Sequence, residues 1–287
     1  MKKDNKKRSS PSPGSRWKPQ RAKKLPSITI GMDLGDKRSR YCVMEEEQVV
    51  REESVASSKK GLAQVFSRYP RCRIALEVGT HSPWVSRLLN SLGHEVIVAN
   101  PRQLQLITQS SRKNDKVDAR TLARLARLDP DLLRPIQHRS EKAQMDLMRV
   151  RVRAQLVEMR TMLVNSLRGF VKSVGERVAP CDPENLDGQH VEDLPEPLRD
   201  VLKPLVDQVQ GLNQQLRECE QQLEQIARNE YPETQLLRQV HGVGTLIALT
   251  FRLTLEDPHR FGKSRDVSTS MSNRSRMAFA YSARFRR

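Results

Sequence analysis

The sequence has no apolar run of about 18 residues, so nothing in it reads as a membrane-spanning helix. Its first residues lack the apolar core of a secretory signal, so export is not expected. The four cysteines, Cys42, Cys72, Cys181 and Cys219, are scattered without a CxxC or CxxH pairing. That argues against a zinc site and against a disulfide framework, and it fits a reducing cytoplasm. Acidic residues are in short supply: 34 Asp and Glu face 51 Lys and Arg, a formal net charge of +17. A balance that basic points to a polyanion partner, most often nucleic acid, with an anionic membrane surface as the alternative.

What is present divides into segments. At 287 residues the chain is long enough for roughly two domains. Residues 1–26 read as a disordered basic tail, in which Lys and Arg face a single acid, Asp4, and no apolar period appears. Residues 27–135 carry an α/β pattern. "SITIGMDL" alternates Ile28, Ile30 and Met32 as a strand does, and "SRYCVM" and "QVVREE" follow closely enough to pair as hairpins. "SKKGLAQVFSRY" has helical spacing, "RIALEV" is a short buried strand, and "HEVIVAN" is another. Between those last two, "SPWVSRLLNSLG" predicts a helix with Ser82 as N-cap, Pro83 in the first turn and Gly93 at its end. "RKNDKVDARTLARL" supplies a closing helix, and the expected order is βββαβα(β)α.

Residues 136–230 read as helical, with a break near 175–198. In the second helix Leu205, Val209, Leu212, Leu216, Cys219, Leu223 and Ile226 alternate steps of four and three, a heptad seam. A weaker seam runs through Leu156, Met159, Leu163, Phe170 and Val174 of the first. Two such helices joined by one loop are expected to fold back as an antiparallel coiled coil. Residues 231–267 begin another segment, where Gly242 and Gly244 in "QVHGVGTLIALTFRL" precede an apolar helix. Paired glycines let backbone amides approach a phosphate at a helix N-terminus, as in helix-hairpin-helix elements, though they also serve as an ordinary turn. Residues 268–287 show no period and no cap.

Four acids carry the chemistry. Asp33 ends the first strand and Glu77 ends "RIALE", and acids at the ends of apolar strands are costly to bury unless paired or metal-bound. Asp115 and Asp118 lie three apart on one helical face. Solvated acids favoured by the helix dipole are the plain alternative. If the two strands are neighbours and the helix crosses them, the four carboxylates converge on a site for two divalent ions about 4 Å apart, as in nucleases and polymerases. Hard oxygen donors favour magnesium or manganese. Lys113, Lys116 and Arg120 on the same helix are candidate nucleic-acid contacts, together with Gly242 and Gly244.

At these residues the sequence resembles the DEDD-type transposases of the insertion-sequence one-hundred-and-ten family. "IGMDLGDKRSRYCV" is similar to the first acidic motif at Asp33, and "ALEVGTHSPWVSRLL" to the second at Glu77. "NPRQLQLITQSSRKNDKVDARTLARL" is similar to the third and fourth at Asp115 and Asp118, with KxDxxDA the most specific of the set. "VHGVGTLIALTF" and "DPHRFGKSRDV" extend the resemblance to residues 27–267. It implies a RuvC-like, ribonuclease H-like domain, then a coiled coil, then the start of a C-terminal transposase domain. It further implies recombination of DNA directed by a guide RNA from the element's own end, and a bacterial or archaeal, nucleoid-associated location without a membrane; a dimer or tetramer is expected because strand exchange needs paired active sites and the heptads offer a seam. The family's nucleophilic serine has no counterpart here, because Ser268, Ser270, Ser272 and Ser275 sit in no matching motif. A frameshift near residue 267 and a truncated product are therefore expected. "IGMDLGDKRSRYCV" also resembles the phosphate loop of actin-like ATPases and sugar kinases, which would need a second phosphate motif and a glycine-rich adenosine motif. A remnant that binds nucleic acid, or the intact transposase, without catalysis is the other alternative.

Overall fold

The computed structural model describes residues 27–100 and 119–257. They fall into two compact units divided between His138 and Arg139.

In the first unit, the alternation in "ITIGMD" produces strand β1 (Ile28–Asp33). It pairs antiparallel with β2 (Arg38–Glu45), which pairs antiparallel with β3 (Gln48–Ala56). Helix α1 (Lys59–Phe66) opens at Ser58, whose hydroxyl accepts from the Gly61 amide and satisfies one of the free N-terminal donors. The chain then enters β4 (Arg73–Glu77), helix α2 (Ser82–Ser91) and β5 (Glu95–Ala99). Strands β4 and β5 run parallel to β1, and the sheet order is β3-β2-β1-β4-β5. Helix α3 (Ala119–Leu128) follows.

Side chains alternate across a strand, so each buried strand feeds two cores. Ile30, Met32, Ile74, Leu76 and Val98 face α1 and α2, where they meet Leu62, Phe66, Val85 and Leu89. Ala75, Ile97 and Ala99 face the other way and pack on Leu122 and Ala126 of α3. Cys42 and Met44 meet Ala119 and Ala123 on that same face. The two faces differ in side-chain size: large residues fill the α1/α2 side, and small ones let α3 lie close.

Ser82 does not cap α2 as its position suggested. Its hydroxyl accepts from the Gly79 amide and donates to the Gly79 carbonyl, closing the turn before the helix. Gly93, with φ +91°, does end that helix segment, in a left-handed conformation glycine adopts without strain.

In the second unit, helices α4 (Glu141–Ser173) and α5 (Glu196–Glu230) form an antiparallel hairpin. The start of α4 (Ala143, Leu147, Val150) packs on the end of α5 (Leu223, Ala227), and the end of α4 (Val164, Leu167, Val171) packs on the start of α5 (Leu202, Val206, Val209). Helices α6 (Thr234–Arg238) and α7 (Thr245–Leu255) complete the unit, with Leu249 and Leu253 of α7 against the open end of the hairpin.

The seams match those expected in part. Met159 and Phe170 of α4 and Val174 just after it are exposed and Leu156 and Leu163 are half-buried, while the buried stripe runs through Ala143, Leu147, Val150, Val157, Val164, Leu167 and Val171. On α5 the expected Val209, Leu212, Leu216 and Leu223 are buried, joined by Leu202, Val206, Asn213 and Ala227, while Leu205, Cys219 and Ile226 are only half-buried at the edge. Asn213 is buried there because it has polar partners across the hairpin. Arg160 of α4 is buried and donates to the Asn213 side-chain oxygen, while the Asn213 amide donates to the Pro183 carbonyl of the connecting loop. Arg153 pairs with Glu220 one heptad further on. A hydrophobic count rejects Asn213 from a seam, but its partners admit it, while Glu220 stays exposed at the rim.

A second polar knot closes the other end. Asp146, 2% exposed, accepts from the Tyr231 hydroxyl at 2.8 Å and from Lys142 at 3.1 Å, with Arg149 beside it. Burial by itself would raise the Asp146 carboxyl, but the hydrogen bonds from Tyr231 and Lys142 and the two cations outweigh it and hold the group below the usual carboxylate range. A carboxyl whose folded pKa is depressed stabilises the fold above its unfolded value, near 4, and that contribution is lost as pH falls through the folded value. Asp146→Asn is therefore expected to melt below the native chain at neutral pH by roughly 2 kcal/mol of stability. The gap should narrow on acidification below about pH 4. Thermal melts from neutral to acid pH check this, and a gap constant across that range would contradict it.

Candidate functional site

The ends of β1 and β4 define the site. The strands are parallel, with Gly31 opposite Ala75 and Met32 opposite Leu76, so the next residues, Asp33 and Glu77, stand level on neighbouring strands. Adjacent strands lie roughly 4.8 Å apart. Asp33 shares the parity of Gly31, and Glu77 that of Ala75, so both carboxylates belong to the face covered by α3. Both are half-buried.

Gly31 decides how α3 sits there. A Cβ at this position would stand 1.9 Å from the Ala119 carbonyl oxygen and 2.5 Å from the Ala123 amide nitrogen. Only a residue without a side chain lets the first turn of α3 rest directly on β1. At the other end, Arg127 of α3 donates to the Ser27 carbonyl and to Thr29 at the start of β1. The helix therefore runs antiparallel to β1, and its N-terminal end is directed toward the strand end that carries Asp33. Arg73, almost fully buried, secures the far end of α3 by donating to the Ala126 carbonyl while pairing with Glu95.

A groove of about 440 Å³ opens beside Asp33 on this face. Asp33, Arg40, Cys42, Glu52, Ser54 and Arg120 line it. Arg120 donates to both Glu52 carboxylate oxygens, at 2.8 and 3.0 Å, and so ties the first turn of α3 to β3. Arg38 donates to the Ser54 carbonyl and hydroxyl. Arg40 lies directly opposite Asp33 in the β1–β2 register.

Of the acids expected from sequence, Asp33 and Glu77 are brought together. Asp115 and Asp118 lie outside the described residues, as do Lys113 and Lys116, although Asp118 immediately precedes Ala119 in the chain. Among the described residues no group of three or more His, Cys, Asp or Glu is arranged to hold a metal ion. The two carboxylates, level and on one face, are a hard-oxygen donor pair of the kind a divalent cation takes. In the second unit, Gly242 has φ +85°, Gly244 is the N-cap of α7, and both are exposed. Sequence reasoning missed Gly31 and Arg40. For Gly31 the signal was a glycine inside an otherwise apolar strand, which marks a close backbone approach; for Arg40 there was none without the strand register.

A transposase model of the DEDD, IS110 type matches residues 30–175, just over half of the chain. The chain belongs to that family. The match spans the strands that carry Asp33 and Glu77, the positions of Asp115 and Asp118, and helix α4 to its end. A Sinorhizobium fredii protein named as transposase y4pF/y4sB is 29% identical over 215 residues, 74% of this chain and 54% of its own. The transposase for insertion sequence element IS1328 of Yersinia enterocolitica is 28% identical over 156 residues, 53% of this chain and 44% of its own. The chain thus spans about half the length of these relatives. No helix among its described residues is long and apolar enough to cross a membrane.

Proposed function

We propose that this member of the family cuts and rejoins DNA at an insertion-sequence end, at a ribonuclease H-like site built from Asp33, Glu77, Asp115 and Asp118. The observation that carries the reading is the level placement of Asp33 and Glu77 on neighbouring parallel strands, beneath the end of α3 that follows Asp118. The sheet order, with an antiparallel three-strand ribbon continued by two parallel strands, supports the ribonuclease H-like assignment.

Magnesium or manganese bound there would supply charge stabilisation at the attacking and leaving oxygens of a phosphodiester. The chain's own part is to hold the carboxylates at fixed spacing. Asp33 and Glu77 are anchored by the ladder of β1 and β4, and α3 is seated on Gly31 and tied to β3 through Arg120 and Glu52. No serine is assigned the role of nucleophile.

DNA is the partner that the family and the +17 charge support, and an element-encoded guide RNA would use the same charge. Paired strand ends call for a second copy of the chain. Met145, Met148, Val152, Met159 and Met162 form an exposed stripe along α4 at coiled-coil spacing, which supports a homo-oligomer through the hairpin.

Two measurements test the reading. Affinity for a DNA duplex should fall roughly a thousand-fold or more between about 50 and 200 mM salt, since phosphate contacts release counterions. An affinity flat across that range would remove the electrostatic basis. Incubation with a plasmid carrying the element ends, with element-derived RNA and magnesium, should give cut or exchanged strands. Tight, salt-dependent binding with no strand cut would leave nucleic-acid binding without catalysis as the function.

A further inference from the structure

We propose that Arg40 is the phosphate-positioning residue of this site: its guanidinium holds a backbone phosphate of the nucleic-acid strand lying in the groove beside Asp33. The inference rests on the reading of Asp33 and Glu77 as a strand-cutting centre.

Most cations near the groove are already engaged. Arg120 is held by both oxygens of Glu52, and Arg38 donates to the Ser54 carbonyl and hydroxyl. Elsewhere on the sheet, Arg51 pairs with Glu53 on the opposite face, and Arg73 with Glu95 and the Ala126 carbonyl. Among the described residues Arg40 is the one sheet arginine with neither a carboxylate nor a carbonyl partner. It is exposed and lines the groove.

Its position is specific. Arg40 stands across from Asp33 in the antiparallel register, so the two side chains leave the sheet on the same face. Such neighbours ordinarily form an ion pair, yet these two line the same groove without one. The result is a cation one strand away from the carboxylate pair. A strand whose reacting phosphate meets Asp33 and Glu77 would bring a nearby phosphate over β2. Arginine suits that role because its planar fork donates two parallel hydrogen bonds to phosphate oxygens. A phosphate backbone also matches the net positive charge of the whole chain.

The test compares the full chain with Arg40→Gln, Arg40→Lys and Arg51→Gln, all checked for unchanged melting. Binding of a fluorescein-labelled mixed-sequence DNA duplex is measured against salt concentration, with magnesium present. Arg40→Gln should bind about ten-fold more weakly, the size of one charge-assisted contact. Its slope of log affinity against log salt should be shallower by about 0.9. Arg40→Lys should recover the slope, and Arg51→Gln, one charge fewer on the other face, should keep it. Native-like binding by Arg40→Gln would overturn the inference while leaving the proposed function standing. Equal loss of slope in Arg40→Gln and Arg51→Gln would overturn it as well, because bulk charge would then explain both. Salt-independent binding by the native chain would overturn the proposed function, and this inference with it.

Discussion

Gly31→Ala is expected to unseat α3 and lower the stability of the first unit by about 3 kcal/mol, the upper end of the usual cost of overpacking. The new methyl would meet backbone atoms, the Ala119 carbonyl at 1.9 Å and the Ala123 amide at 2.5 Å, so no rotamer change relieves it. The helix must lift from β1, and lifting it separates the small-residue contacts of Ala119 and Ala123 with Cys42 and Met44. A loss of that size in a domain of this length lowers the melting temperature by more than about 10 °C. Gly79→Ala is the control, because a Cβ there meets nothing within 4 Å. Differential scanning calorimetry of both variants checks the prediction. Equal, small shifts would show that α3 does not press on Gly31. Because α3 begins one residue after Asp118, the same variant should also lose activity at temperatures where it stays folded.

Asp33→Asn is expected to do two opposite things. Without a divalent ion it should raise stability slightly, by roughly 0.5 kcal/mol, because like charges opposed on neighbouring strands repel. With magnesium or manganese it should lose the stabilisation that the ion gives the native chain, and strand cutting should fall by about a thousand-fold or more, several kcal/mol of transition-state stabilisation. Glu77→Gln should behave alike, since it occupies the level position on β4. Melting curves with and without metal separate the two effects. An acid kept for structure would give the reverse signature, a loss of stability in the absence of metal and no change in the metal response. Asp115→Ala is expected to abolish the metal response in the same way, and unchanged calorimetric magnesium binding would refute that.

Much of the first unit was legible in the sequence. The alternation in "ITIGMD" and "RIALE", the short links between β1, β2 and β3, and Gly93 after α2 are local signals that physical chemistry reads directly. Asp33 and Glu77 were legible as costly acids at the ends of apolar strands, and the strand pairing sets them level on one face. Helix faces were harder. On α4 the eye goes to Met159 and Phe170, which are exposed, because burial on a two-helix seam depends on what the partner presents. Ser82 shows the same limit at a smaller scale: a serine before a helix can cap forward or close the turn behind it, and spacing alone does not choose.

By itself the sequence determined the order of elements, the basic charge and the acids that form the candidate site, since each follows from local period, composition or the cost of burying a charge. Only the tertiary structure decided that Asp33 and Glu77 stand level, that Gly31 is where α3 touches β1, that Arg120 is tied to Glu52 while Arg40 is open to the groove, and that Asn213 belongs to the α5 seam. Each of those depends on register between segments distant in the chain, and a register is set by packing and partner choice that no single segment contains.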